Sequence, residues 1–246
     1  GRVTVQALPT STWDRLAYRG FSADIWLDKS IDREDVGDHF GAFHRQQTPR
    51  PSRTCLVLGA GNVASIPLLD AVYKMFVEGQ TCIVKLHPVT DYLLPHVREI
   101  FEPVRQEGWL HFTVGDAESG EYLCNHDLVD NIHITGSHRT HDAIVFGSGD
   151  EGERRKSNNT PKLSKPITSE LGNVTPVIVV PGPWSDDDLD VHAANVATQL
   201  ANNAGFNCNA IRVLVLPEDW DRRAAFVDRI EQKLEEIGTR HAWYPG

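Results

Sequence analysis

No stretch of the 246 residues stays apolar for anything near the ~18 residues that a membrane-spanning helix needs. The first twenty residues, GRVTVQALPTSTWDRLAYRG, have no continuous apolar core and do not read as a signal peptide. Positive charge is in short supply: 24 Lys and Arg stand against 34 Asp and Glu, for a net charge of −10. Nucleic acid and anionic membrane surfaces both call for a basic face, so neither is an expected partner. Cysteine is sparse. Cys55, Cys82, Cys124 and Cys208 match no zinc spacing and no C-x-x-C pattern, which predicts reduced thiols in the cytoplasm and no metal. The eleven histidines, among them His133, His138 and His141, form no ligand set of the H-x-x-x-H type, and no internal repeat is present. What remains is a globular composition, 40% apolar and 24% charged, long enough for one large or two ordinary domains.

Periodicity then orders the chain. VTVQALP and ADIWL read as strands near the N-terminus, and FHRQQTPRPSR as a polar connector. From Thr54 the pattern alternates. TCLVLG is a strand, and Ile66, Leu69, Val72, Tyr73 and Phe76 recur at helical spacing until Gly79. TCIVKL (81–86) is the next strand. Leu93, Leu94, Val97, Ile100, Phe101 and Val104 predict one amphipathic helix, WLHFTVG (109–115) a period-two strand, and a short polar helix follows. NIHITG (131–136) is a strand and SHRTHDAIVFG its helix. The charged, glycine-bearing run 147–165 reads as a surface loop. KPITSELG and PVIVV predict strands. Ser185 caps a helix with acids in its first turn and a buried stripe of Leu189, Ala193, Val196, Ala197 and Leu200. IRVLVL is the last strand, and Phe226, Ile230, Leu234 and Ile237 mark the last helix. Strand, helix, strand, helix with short joints predicts an α/β fold: a parallel twisted sheet with helices on both faces.

The joint after the first of these strands reads Gly59-Ala60-Gly61-Asn62-Val63-Ala64, close to the dinucleotide fingerprint G-x-G-x-x-A. That fingerprint also wants an acid at the end of the second strand, and this one ends Val84-Lys85-Leu86-His87-Pro88. Four later stretches point elsewhere: Ile134-Thr135-Gly136-Ser137 between strand and helix, Glu170-Leu171-Gly172-Asn173 after a strand, Gly205-Phe206-Asn207-Cys208-Asn209-Ala210 before one, and Arg212 two residues on. In that order, with Asn62 and Lys85 upstream, they resemble the aldehyde dehydrogenase superfamily over roughly residues 54–216. The family motif around the asparagine normally reads Pro-Trp-Asn-Phe-Pro, and the Gly-Ala-Gly before Asn62 is a departure that points to an outlying branch.

The resemblance implies a cofactor-binding domain over residues 1–172 and an incomplete second α/β domain, the beginning of the catalytic domain, over 173–246. It implies Cys208 as nucleophile, Asn62 as oxyanion donor together with the Cys208 N–H, and Glu170 as the base that activates water, a task suited to a glutamate whose pKa burial raises. It places Lys85 on the adenosine ribose, Gly136 and Ser137 by the pyrophosphate at a helix N-terminus, and Leu171 and Gly172 beside the cofactor. The implied cofactor is NAD or NADP, the substrate a small-molecule aldehyde, and the full-length protein a homo-oligomer. The same residues have plainer structural readings: Asn62 as a helix cap, Lys85 as a surface lysine, Glu170 as a solvated strand-end carboxylate, and Ser137 as a cap. Cys55 and Cys82, inside apolar strands, read as small buried hydrophobes. Three alternatives stay open: a CoA-dependent acylating dehydrogenase of the same superfamily, a dehydrogenase that holds its cofactor on Gly59 and Gly61, and a non-catalytic nucleotide-binding module. The family's Glu-x-Phe-Gly-Pro motif is absent, so the expectation is a truncated member.

Overall fold

The chain divides into two units, Gly1–Pro51 and Ser52–Gly246, and the computed structural model describes residues 2–39 and 51–244. In the first unit β1 (Thr4–Leu8) pairs antiparallel with β2 (Ala23–Trp26), Thr4 opposite Trp26. Between them α1 (Thr12–Ala17) starts on a capping box. The Ser11 hydroxyl accepts the Asp14 N–H at 3.1 Å and the Asp14 carboxylate accepts the Ser11 N–H at 2.8 Å, so two orphan donors of the first turn are satisfied. A single turn, α2 (Val36–His39), follows. The predicted polar connector falls largely on residues 43–50, outside the described residues.

The second unit carries the predicted alternation: β3 (Thr54–Leu58), α3 (Ile66–Phe76), β4 (Thr81–Lys85), a 3-10 turn (Pro88–Leu93), α4 (Leu94–Ile100), α5 (Glu102–Gln106), β5 (Leu110–Thr113), α6 (Ala117–Asn125), β6 (Asn131–Gly136), α7 (His138–Phe146), α8 (Gly149–Ser157) and β7 (Ile167–Leu171). The five strands form one parallel sheet in the order β5-β4-β3-β6-β7. Its central strand is apolar on both faces. Cys55 and Val57 pack with Ala71 and Met75 of α3 and Val97 of α4, while Leu56 packs on the other face with Cys124 and Ile132. Burial of both faces is what a parallel sheet with crossover helices requires. The remaining strands, β8 (Thr175–Ile178) and β9 (Ile211–Val215), form a separate parallel pair covered by α9 (Asp186–Ala201) and α10 (Arg223–Ile237), with Leu189, Ala193, Phe226 and Ile230 at their core.

Three expectations from periodicity are corrected. The single helix over 93–104 is broken into two. Pro95 and Pro103 each sit at the start of a helical segment, where a missing N–H is harmless, and Pro103 cannot continue the helix before it. The run 147–165 is not all loop, because α8 forms within it. Glu151 pairs with Arg154 and Arg155 one turn on, and Lys156 reaches Asp142 of α7 at 2.8 Å. A helix held by i,i+3 and i,i+4 charge pairs has no apolar stripe to read. Leu200, expected on the buried stripe of its helix, lies at the end of α9 and is exposed.

Candidate active site

In the five-stranded sheet the chain runs from β3 outward to β4 and β5, then returns to the other side of β3 for β6 and β7. The strand order therefore reverses between β3 and β6, and the carboxyl ends of those strands open a crevice of the kind in which α/β sheets bind ligands. The parallel register brings matching residues to that edge. Leu58 lies opposite Lys85, Thr135 opposite Glu170, and Gly136 opposite Leu171.

Two cavities open there. The larger, of about 600 Å³, is lined by Gly59, Lys85, His87, Asp116, Gly136 and Ser137, and also by Thr140 and Lys162. Lys85 is buried rather than a surface lysine, and that burial lowers its pKa, opposed by the charge of Asp116. Asp116 is itself held low by the N–H and hydroxyl of Ser119, both at 3.0 Å. Ser137 caps α7. Its hydroxyl accepts the Thr140 N–H at 3.1 Å, so the helix N-terminus, with its partial positive charge, stands at the cavity wall. His87, two residues past β4, caps the 3-10 turn with its Nδ1 accepting the Val89 N–H at 3.2 Å. Burial and the nearby Lys85 lower its pKa, which suits a neutral ring with an accepting nitrogen.

The smaller cavity, of about 240 Å³, brings Asn62, Glu170 and Cys208 together, with Gly136, Leu171 and Gly172. Its cysteine loop is tied down by asparagines. Asn62 is not a helix cap; Ser65 takes that place, and the Asn62 side-chain amide donates to the Phe206 carbonyl at 2.8 Å. Asn203 in turn donates to the Asn62 carbonyl at 3.0 Å and to the Asn207 side chain at 2.9 Å. Arg212 holds the other side of the loop through the Gly205 and Ile211 carbonyls. The loop turns through three successive residues in the left-handed region, Asn203 (φ 51°), Ala204 (φ 53°) and Gly205 (φ 77°). Only glycine adopts that region without cost, so Ala204 is strained, a feature that gathers at functional sites.

Cys208 is exposed at the end of this loop, while the other three thiols are buried. Burial pushes the Cys55 thiol up to about 12 and the Cys124 thiol up to about 11, and raises Cys82 further. Those three are inert hydrophobes, which leaves Cys208 as the one solvent-accessible thiol of the four. Glu170, at the end of β7, is exposed, so the apolar burial anticipated for a glutamate base is absent.

The wall between the cavities consists of Thr135, Gly136 and Tyr244, which line both. Thr135 donates to Asp70 of α3 at 3.2 Å, and Asp70 lies 3.5 Å from the His133 ring. The fingerprint glycines serve packing. A Cβ on Gly61 would fall 2.5 Å from His87 Nδ1 and 2.6 Å from Tyr244 Cε2, and one on Gly59 would fall 2.8 Å from Pro67. Leu171 and Gly172 line the smaller cavity and not the larger. Sequence reasoning missed Asp116, Asn203 and Tyr244. Asp116 carries a helix-cap signature after β5, since its side chain caps α6, and Asn203 sits in the Asn-Asn-Ala-Gly run before the cysteine. Tyr244 has no local signal at all.

Among the described residues no cluster of three or more His, Cys, Asp or Glu side chains could hold a metal ion, and no helix is long and apolar enough to cross a membrane.

Comparison with known proteins agrees with this geometry. Residues 43–245 match the model of the aldehyde dehydrogenase family. The chain is 28% identical over 233 residues to 4-trimethylaminobutyraldehyde dehydrogenase of Bos taurus and 29% identical over 232 residues to the enzyme of that name from Sus scrofa. It covers 41% of each relative and 92% of itself is matched, so it spans about two fifths of their length. Among solved structures it resembles a substrate-bound AldH of Staphylococcus aureus with a TM-score of 0.57 at 17% identity, covering 76% of this chain and 37% of that one. A Mycobacterium tuberculosis aldehyde dehydrogenase complexed with NAD+ gives a TM-score of 0.56 at 22% identity, covering 75% and 34%. The chain belongs to the aldehyde dehydrogenase family.

Proposed function

We propose that this chain carries the cofactor site and the nucleophile of an NAD(P)-dependent dehydrogenase that oxidises an aldehyde to a carboxylic acid. Residues 1–172 would be its cofactor-binding domain and 173–246 the first part of its catalytic domain; the break between the five-stranded sheet and the β8–β9 pair supports that division. The observation that carries the reading is that Asn62, Glu170 and Cys208 line one cavity which shares a wall with a second, larger one. A dinucleotide fits the larger cavity by size and chemistry. About 600 Å³ lies within the range of small-molecule sites, Lys85 offers a buried cation, and the α7 N-terminus favours a phosphate. Bound there, NAD or NADP would supply the hydride acceptor.

The protein's own residues then do the following. The Cys208 thiolate adds to the aldehyde carbonyl carbon, forming a C–S bond and placing the carbonyl electron pair on oxygen. The amide group of Asn62 has two N–H donors; one is given to Phe206, and the second is available to that oxyanion together with the Cys208 N–H. Collapse of the oxyanion expels hydride and leaves a thioester on Cys208. Glu170 takes a proton from a water that attacks the thioester, releasing the acid and the thiolate. The exposure of Glu170 favours one second reading, transfer of the acyl group to CoA, which needs no water-activating base.

Intact-mass and peptide mapping after a single turnover tests both. The protein is incubated with NAD or NADP and a panel of aldehydes, 4-trimethylaminobutyraldehyde included, as wild type and as Glu170→Gln. An acyl adduct on Cys208 that clears in wild type and persists in the variant is expected. An adduct persisting in both until CoA is added selects the acylating reading. Cofactor binding with no adduct leaves a nucleotide-binding module and overturns the catalytic reading.

A further inference from the structure

Tyr244 lies in the segment after α10, yet it is one of the three residues common to both cavities. The other two, Thr135 and Gly136, belong to the end of β6, so Tyr244 is the side of that wall contributed from outside the five-stranded sheet. Its ring meets an aromatic neighbour from the lining of each cavity. The His87 ring, on the larger cavity, is centred 5.8 Å away, and the Phe206 ring, on the smaller one, 5.6 Å away. Trp243 backs the same cluster, 5.6 Å from Phe206 and 5.9 Å from Tyr244. The ring reaches this position only because residue 61 is glycine, since any Cβ there would stand 2.6 Å from Tyr244 Cε2.

Resting on the cofactor reading above, we propose that Tyr244 is a steric shutter between the two cavities, which the nicotinamide half of the dinucleotide must displace to reach Cys208. The adenosine half, seated in the larger cavity against Lys85 and the α7 N-terminus, is taken up without displacing it. The ring contacts with His87 and Phe206 are lost when the shutter opens, so they weaken binding of the whole dinucleotide and leave a ligand lacking nicotinamide untouched.

The test compares dissociation constants of NAD and ADP-ribose, by calorimetry, for wild type, Tyr244→Phe, Tyr244→Ala and Tyr244→Leu. Removing the ring should lower the ratio of the NAD constant to the ADP-ribose constant by about fivefold, the scale of one or two ring contacts, while Tyr244→Phe keeps it. The leucine variant gives the same readout if alanine impairs folding, and a cooperative urea transition certifies each variant as folded. Two constants that move together, or a ratio that is unchanged or rises in both ring-less variants, overturn the shutter alone. No ADP-ribose binding to wild type overturns the cofactor reading and the shutter with it.

Discussion

The two cavities share a wall but are built in different ways. The larger is framed by ends of regular elements: Leu58-Gly59, Lys85 and Gly136 are strand termini, and Ser137 and Asp116 are helix caps. Parallel pairing fixes the relative positions of those residues, so the cavity follows from the sheet. The smaller is framed by a loop whose shape depends on side chains. Asn62, Asn203 and Arg212 hold it through carbonyl oxygens, and Asn203 and Ala204 take backbone conformations that no element imposes. Scaffold geometry places a ligand, whereas a reactive group needs local bonds to hold a strained loop. The difference teaches that the reactive site should be the more fragile of the two, and substitutions can break or sharpen that contrast.

The largest effect is expected at Cys208. Replacement by serine should lower turnover by about 10³-fold or more, read by initial rates, because in the proposed reaction the thiolate is the nucleophile. Its unfolding midpoint in urea should stay near that of wild type, since the residue is exposed. Cys82→Ser should do the reverse. A hydroxyl in that apolar core is expected to lower stability by about 1–3 kcal/mol by chemical denaturation. Next comes Asn62→Ala, which removes the proposed oxyanion donor and a tie to the cysteine loop. We expect turnover to fall by about 10²-fold, with ADP-ribose affinity in the neighbouring cavity unchanged, in binding and rate measurements. A parallel loss of ADP-ribose affinity would show that the two cavities are not built independently.

The same contrast explains what the sequence disclosed. Strand runs such as Cys55-Leu56-Val57 are buried on both faces and announce themselves by uninterrupted apolar character, and the sheet follows from them. Helix α8 is held by charge pairs and leaves no apolar period to detect. The helix expected over 93–104 was broken by Pro103, a local rule that overrides periodicity. At the smaller cavity, Cys208 and Glu170 stood out by motif, but Asn203 did not, because its role lies in bonds to Asn62, 141 positions away. Tyr244 was illegible for the same reason. Its meaning comes from rings that only the fold brings near it.

Two smaller effects bear on loop strain and on packing at the wall. Gly61→Ala should destabilise by about 1–3 kcal/mol in thermal or urea unfolding, because its Cβ meets the His87 and Tyr244 rings at 2.5 and 2.6 Å. Ala204→Gly should stabilise by roughly 0.5–1 kcal/mol, relief of a left-handed alanine being partly offset by the added freedom of glycine in the unfolded chain. A neutral or unfavourable result there would mean that the loop is not strained at Ala204.

The smallest expected effect is a dependence on pH at the larger cavity. Burial and Lys85 hold the pKa of folded His87 below its ordinary 6.5. Between the folded value and 6.5 the unfolded chain binds the extra proton and the folded one does not. Stability is therefore fully present above pH 6.5 and declines as pH falls through that window, with the loss complete below the folded value. His87→Gln keeps an acceptor for the Val89 N–H but cannot take up the proton. Urea midpoints measured from pH 8 to pH 5 should fall less steeply for the variant than for wild type, with the two differing most below pH 6.5. Parallel curves would show that the ring is as free to protonate in the folded protein as in the unfolded one, and that the wall by Gly61 and Tyr244 admits water.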